Sequence, residues 1–234
     1  DYSQKIGSGM MFDFDLLQEE DKNELRLKQF DLFLTRMCEI LQEILVIENT
    51  DTFYITITIK KTLVYKEEKK MYKNGFHIII PEVMLARPAK KILFYKMLND
   101  PELKEFFKEQ FNNDLKEGIF DIGSVSVPVY FMYNCKEDST EPYEILNIYK
   151  ASFRRNVNVH NETLCNILPR YNMVTELSIN FPGSLMNNKY YELRNEYHLK
   201  VLEMINKTSS FENEREETIS TFNTFNSYVE DNLE

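Results

Sequence analysis

The chain has 234 residues, 43% of them hydrophobic, with 17 Phe and 14 Tyr but no Trp. That is enough apolar and aromatic volume for one large domain or two small ones. A net charge of −10 argues against a free-standing nucleic-acid binder, which is usually basic, but leaves room for a local basic groove.

The last 23 residues, "ENEREETISTFNTFNSYVEDNLE", hold seven acidic residues and one basic, so that end carries −6 of the total. No apolar run approaches the roughly 20 residues of a membrane helix, and no secretory signal opens the chain. It begins "DYSQKIGSG" without Met, so an excerpt of a longer polypeptide is expected. Cys38, Cys135 and Cys165 are widely separated. Nothing has the CxxC spacing of a structural zinc site, and an odd cysteine count fits a reducing compartment. The sequons at Asn161 and Asn206 carry no weight without a secretory signal.

In chain order, residues 10–17, "MMFDFDLL", read as a strand, and 20–48 as a long helix with Leu27, Phe30, Leu34, Met37, Leu41 and Leu45 at helical spacing. Residues 53–60, "FYITITIK", alternate, with Ile55, Ile57 and Ile59 inward and Tyr54, Thr56 and Thr58 outward. The stretch 61–73 is rich in Lys, Glu and Tyr and its register is open. "GFHIIIP", 75–81, reads as a strand stopped by Pro81. Helices are expected over 88–98 and 101–115, with Pro101 in a first turn. "EGIFDIG" is a turn and a short strand holding Asp121, and 125–133 is strand-like despite Pro128. Residues 143–150 form a further short strand. Beyond 150, "FRRNVNVHNETLCNILPRYNM" is polar and irregular, "SINFPGSLMNN" is a turn, and 188–206 is an amphipathic helix presenting Leu193, Tyr197, Val201 and Met204. After 207 the chain is polar. The order is that of an α+β fold around a mostly antiparallel sheet. It divides into a core, 1–150, and a small, mainly helical accessory region, 151–234, with an acidic end.

Three short signals carry chemistry. Asp13 and Asp15, two apart on a strand, point to one face while Phe12, Phe14 and Leu16 point to the other. Such a pair is either a solvated strand face or a rigid carboxylate set for divalent metals. His77 in "KNGFHIIIP" is either a core histidine bonded to backbone or a donor to a phosphate oxygen, and Gly75 lets a backbone or ligand approach closely. Asp121 in "GIFDIG" is either a turn aspartate or a third carboxylate, and Lys136 follows it after the aromatic run Tyr130, Phe131 and Tyr133. Lys73, Arg87, Lys90, Lys91, Arg154 and Arg155 are either solvated surface or the lining of a groove.

Taken in order, DxD, Gly-x-His and hydrophobic-Asp followed by a lysine resemble the archaeo-eukaryotic primase superfamily over roughly residues 10–150. The resemblance is to the primase domain of the primase–helicases of large nucleocytoplasmic DNA viruses. It implies a primase-like core that makes short primers on single-stranded DNA from nucleoside triphosphates. Asp13, Asp15 and Asp121 would hold Mg²⁺ or Mn²⁺, His77 would contact nucleotide phosphates, and Lys136 would contact phosphates as well; apart from the resemblance, Lys73, four residues before His77, is the best of the basic candidates for binding the nucleotide. It further implies a helicase (ATPase) portion of the same polypeptide, which has no GxxxxGK[ST] within these residues. The place of action would be viral replication sites in the host cytoplasm, or the virion. Gly75 departs from the Ser found in many primases at that motif, and the cysteines supply no zinc element. Two rivals remain. One is a primase-like module that has lost catalysis and only grips DNA or a helicase. The other is a rolling-circle-type nicking enzyme, against which Ile79 stands where a His-x-His pair needs its second histidine.

Overall fold

Strand β1 (Ser8–Gln18) opens the architecture. Its alternation buries Phe12, Phe14 and Leu16 on one face and presents Asp13 and Asp15 on the other, as period-two side-chain geometry requires. The structure, a computed structural model, describes residues 8–23, 25, 30–123, 142–162 and 189–199. After β1 come α1 (Asp31–Ile44), β2 (Thr52–Lys60), β3 (Val64–Lys66), β4 (Met71–Leu85), α2 (Arg87–Asn99), α3 (Pro101–Phe111), β5 (Phe120–Asp121), β6 (Tyr143–Ser152), β7 (Asn158–Glu162) and β8 (Lys189–Tyr190). The sheet runs β5-β1-β4-β2-β6-β7, with β3 and β8 also pairing β4. All pairs are antiparallel except β4–β8. This is the α+β architecture expected, a mostly antiparallel sheet flanked by helices. No helix among the described residues is long and apolar enough to cross a membrane.

Helices α1, α2 and α3 cover one face through a cluster of phenylalanines. Phe14 stacks on Phe76 of β4 at 4.7 Å and on Phe120 of β5 at 4.5 Å, ring centre to ring centre. Above this ladder sit Phe33 of α1 and Phe107 of α3, 5.9 and 5.7 Å from Phe14, and Phe94 of α2 reaches Phe120 at 4.3 Å. Offset stacks and edge contacts of this kind add to the burial energy of the rings. The helix ends are tied by one group. Asp100 accepts from the Leu103 amide as N-cap of α3 and receives Arg36 of α1 on both oxygens, at 3.2 and 2.7 Å. Pro101 occupies the first turn, where its missing N–H costs nothing.

Several expectations are corrected. The first helix is shorter than 20–48. Gln18 donates to the carbonyls of Glu20 and Lys22, curling that segment into a turn, and the helix closes at Ile44 with Leu45 extended. Pro81 does not stop its strand. The β2–β4 ladder ends at Thr56↔Ile79, and the Tyr54 amide is met by the Glu82 carboxylate instead. No ladder bond from residue 81 to β2 is therefore needed. On the other side, β1 shifts register between Ser8 and Met10, where a Cβ on Gly9 would lie 2.6 Å from the Pro81 carbonyl. Thr56 and Thr58 do not face water; they are 3% and 1% exposed. The third helix ends at Phe111, with Asn112 in the left-handed region, rather than at 115. Part of the stretch read as irregular is β7, paired to β6. Residues 188–206 open with β8 and turn helical from 195 to 199; their remainder lies outside the described residues. So do the strand at 125–133, the aromatics Tyr130, Phe131 and Tyr133, Lys136, and most of the accessory region expected to be helical. The chain divides into two compact units, Asp1–Glu192 and Leu193–Glu234.

Truncating Phe14→Ala removes the ring at the centre of the ladder and should lower stability by about 3–5 kcal/mol, measured by urea unfolding. The Asp100 carboxyl is pushed up by burial, but the Arg36 guanidinium and the Leu103 amide outweigh this and hold it below the usual carboxylate range. A depressed folded pKa stabilises above the unfolded value of about 3.9 and is lost as pH falls through the folded one. Unfolding free energy should therefore drop below about pH 4, and Asp100→Asn should flatten that part of the pH profile.

Candidate active site on the sheet face opposite the helices

The Phe ladder fixes the register of the opposite face. One residue along from Phe120–Phe14–Phe76 runs a second cross-strand row. Asp13 of β1 is directly opposite Asp121 of β5 on one side and His77 of β4 on the other, and His77 is opposite Thr58 of β2. Directly opposed residues in an antiparallel pair project to the same face with Cβ atoms about 4.5–5.5 Å apart. The structure thus gathers Asp13, Asp121 and His77 from three separate segments. The His77 Nε2 lies 3.4 Å from Asp13 Oδ1. The Thr58 hydroxyl, buried in the same row, has no hydrogen-bond partner among the described residues.

The next position along β1 is Asp15, opposite Gly75. Its amide donates to the Ile119 carbonyl at 2.7 Å, which anchors the segment leading into β5. Its carboxylate receives the Lys73 ammonium at 2.6 Å. Burial pushes the Asp15 carboxyl up and the neighbouring charge of Asp13 adds to this, while Lys73 and Lys60 pull it back; the balance is upward. Asp121 sits on a strand of two residues and is exposed. Its Oδ1 accepts from the Gly123 amide at 2.7 Å, an aspartate turn that orients the carboxylate. A side chain on Gly123 would approach that oxygen to 3.0 Å.

Two residues that the sequence did not single out complete the surroundings. Tyr143, the first residue of β6, stacks on the His77 imidazole at 3.8 Å and 23°. Burial and the charges of Asp13 and Asp15 push its hydroxyl well above the usual range, so it stays neutral. Lys60, opposite Tyr143 in the ladder, holds its ammonium 5.2 Å from the centre of the Tyr143 ring, a cation–π distance. Gly75 now has a specific cause. A Cβ there would lie 3.1 Å from the Tyr143 hydroxyl, which would have to give by a few tenths of an ångström, and in ordinary contact with Asp15 Oδ1 at 3.4 Å. The hydroxylated residue expected in many primases at this position is replaced by space that Tyr143 fills from the side. Only the tyrosine at a predicted strand start could have signalled this, and strand starts are ordinary places for tyrosine.

Of the basic candidates, Lys73 is at the site. Lys90 is not: it is buried, and its ammonium donates to the Ser8 hydroxyl and the Gly9 carbonyl, holding the start of β1. Burial lowers its pKa to about 8. Arg154 and Arg155 are exposed between β6 and β7.

The oxygen-only donor set of Asp13, Asp15 and Asp121 has the chemistry of a Mg²⁺ or Mn²⁺ site. Among the described residues no three acidic, His or Cys side chains already converge into a metal cage. The upward pull on Asp15 comes first from burial and then from the like charge of Asp13, and the bound Lys73 ammonium offsets part of it.

The family model for the N-terminal AEP domain of C962R protein matches residues 2–149. The chain is 30% identical over 132 residues to "Putative primase C962R" of African swine fever virus, isolate Tick/Malawi/Lil 20-1/1983, a match covering 54% of this chain and 13% of that relative. The protein of the same name from isolate Warthog/Namibia/Wart80/1980 is 30% identical over 130 residues, covering 53% and 13%. The chain thus spans a small fraction of the length of the curated relatives it matches.

The charge balance on this face is measurable. In carbon-detected NMR titrations the Asp15 carboxyl should titrate above the usual value of about 3.9. Asp13→Asn should move it down by removing a like charge, and Lys73→Met should move it further up by removing the opposite one.

Proposed function

This chain belongs to the family of C962R-type N-terminal AEP (archaeo-eukaryotic primase) domains, and on that footing we propose that its acidic sheet face synthesises short primers on single-stranded DNA from nucleoside triphosphates. The observation that supports this most is the row Asp121–Asp13–His77, assembled from three distant segments onto adjacent strands beside Asp15 and Lys73. A solvated strand face has no reason to place three carboxylates, an imidazole and an ammonium together.

In this reading Asp13, Asp15 and Asp121 hold Mg²⁺ or Mn²⁺. Such ions, when bound, lower the pKa of the attacking 3′-hydroxyl and neutralise the departing pyrophosphate. The chain's own residues do the rest. Were a cation held on Asp15, the Lys73 ammonium now 2.6 Å from that carboxylate would be placed to donate to triphosphate oxygens. His77, flanked by Tyr143 and Asp13, is held with its Nε2 toward the carboxylate row and donates to a phosphate oxygen. The 3′-oxygen forms a bond to the α-phosphorus, the bond from that phosphorus to the bridging oxygen breaks, and pyrophosphate leaves with the electron pair. The hydroxyl proton passes to a carboxylate or to solvent. Lys136 is a further phosphate contact in this proposal. The partners are single-stranded DNA, nucleoside triphosphates and the helicase portion of a longer polypeptide, at viral replication sites in the host cytoplasm.

A second reading has one observation in its favour. The Lys73 ammonium already compensates Asp15 at 2.6 Å, as in a face that has given up metal and only binds DNA or a helicase. Primer synthesis on single-stranded DNA with Mg²⁺ or Mn²⁺ decides between them. Wild type should yield short labelled products. Asp13→Asn with Asp15→Asn should reduce them by more than the roughly 10–100-fold that outer-shell changes around a metal cost, with unfolding unchanged. Equal product from both proteins would remove the carboxylates from catalysis. Nucleotide-independent DNA binding with no product from either would establish the binding module.

A further inference from the structure

The ribbon formed by β3 and the first residues of β4 extends the sheet beyond the active site, and apart from Lys73 it has no role in the chemistry above. Residues 60–73, "KKTLVYKEEKKMYK", contain six lysines against two glutamates, a net +4 inside a chain of net −10. The ladder pairs Val64 with Lys73, Tyr65 with Tyr72 and Lys66 with Met71. Alternation along β4 puts Met71, Lys73, Gly75 and His77 on one face, so Lys66, opposite Met71, shares the face of the active site. Lys73 is the junction, bonded to Asp15 at 2.6 Å. Lys61 lies 3.7 Å from Glu144. Lys66, Lys69 and Lys70 make no ion pair among the described residues, and Lys69 and Lys70 are exposed.

The ribbon is built to hold these charges in place. At its tip the Lys69 amide donates to the Lys66 carbonyl and the Lys70 amide to the Glu67 carbonyl, and Lys70 takes the left-handed conformation at φ 51°. On the face away from the site, the Tyr65 and Tyr72 rings lie 5.0 Å apart, a cross-strand aromatic pair of the kind that fixes register. Glu67 and Glu68 sit in the turn, off both strands. Keeping several unpaired ammonium groups this close costs electrostatic energy unless a polyanion neutralises them. Lys66 ends β3 and Lys69 and Lys70 lie in the turn before β4, while Lys73 two residues into β4 joins them to the carboxylate row through Asp15.

We propose that the β3–β4 ribbon binds the phosphate backbone of the single-stranded DNA template and leads it to the active-site face. The inference rests on the primase reading for the identity of the strand, and its test uses binding rather than synthesis. Fluorescence anisotropy of a labelled oligodeoxythymidylate is measured over a salt series with the whole chain. Each phosphate contact on a single strand contributes about 0.7 to the slope of log affinity against log salt. The triple variant Lys66→Ala, Lys69→Ala, Lys70→Ala should lower that slope by about 2 and weaken binding on the order of tenfold at moderate salt. Arginine at the same three positions should restore both. Lys104→Ala, Lys108→Ala, Lys116→Ala removes the same charge away from the ribbon and should leave both unchanged. An unaltered slope in the ribbon variant, an equal loss in the control variant, or no DNA binding by wild type would overturn the proposal. So would loss of nucleoside triphosphate binding in the ribbon variant with DNA binding intact. Wild-type protein that binds DNA through the ribbon yet makes no primer would sink the primase reading and leave the ribbon assignment standing.

Discussion

The stack of Phe14 between Phe76 and Phe120 is the interaction on which the rest of the molecule depends. Three rings from three strands form one ladder under the helices, and the residues beside them, Asp13, His77 and Asp121, form the matching row on the other face. A strand has a side-chain period of two, so a slip of one residue would exchange the faces, burying carboxylates under α1 and exposing phenylalanines. Aromatic burial of several kcal/mol per ring opposes that slip. The chemistry of the acidic face is thus positioned by packing energy on the face that has no chemistry.

The same face has to tolerate its own charge. Asp13 and Asp15 lie about two residues' rise apart, roughly 7 Å, and each is largely shielded from water. The surroundings answer with Lys73 on Asp15 and with Lys60 nearby. Tyr143 adds a neutral ring against the imidazole rather than another charge. Gly75 is part of this solution, since its missing side chain is the volume into which the tyrosine hydroxyl and the Asp15 carboxylate project.

Charge is also divided over the molecule in a way that the net value of −10 hides. The acidic row and the basic ribbon are consecutive along β4, with Lys73 paired to Asp15 of β1 where they meet. The proposed function uses both signs: carboxylates to hold cations at the reacting phosphate, and ammonium groups to hold the phosphates that do not react. On a sheet, adjacent strands can present both on one face without mixing them.

Much of this was legible in the residues. The strand at 10–17, the alternation of "FYITITIK", the two helices around Pro101 and the short strand with Asp121 follow from local periodicity and turn chemistry, which a single sequence displays. The order of the Asp, His and Asp motifs pointed to the family. What failed locally failed for tertiary reasons. Pro81 stays in β4 because the Glu82 carboxylate takes over the Tyr54 amide, a bond across 28 residues. Thr56 and Thr58 are buried although their pattern reads as a solvent face, because alternation specifies that two faces differ but not what covers them. β7 was hidden in a polar stretch because its strand character depends on the edge of β6. Tyr143 and Lys60 could not be assigned because their meaning is a distance, from Tyr143 to the His77 ring and from Lys60 to the Tyr143 ring, and no spacing in the chain encodes it. The sequence by itself determined which face of each element is apolar and which residue types are available for phosphate chemistry, since both are set by local side-chain chemistry and period. Only the tertiary structure decided which of those residues meet, because the cross-strand register that joins Asp13 to Asp121 and His77 is fixed by the packing of Phe14 against rings 62 and 106 residues away.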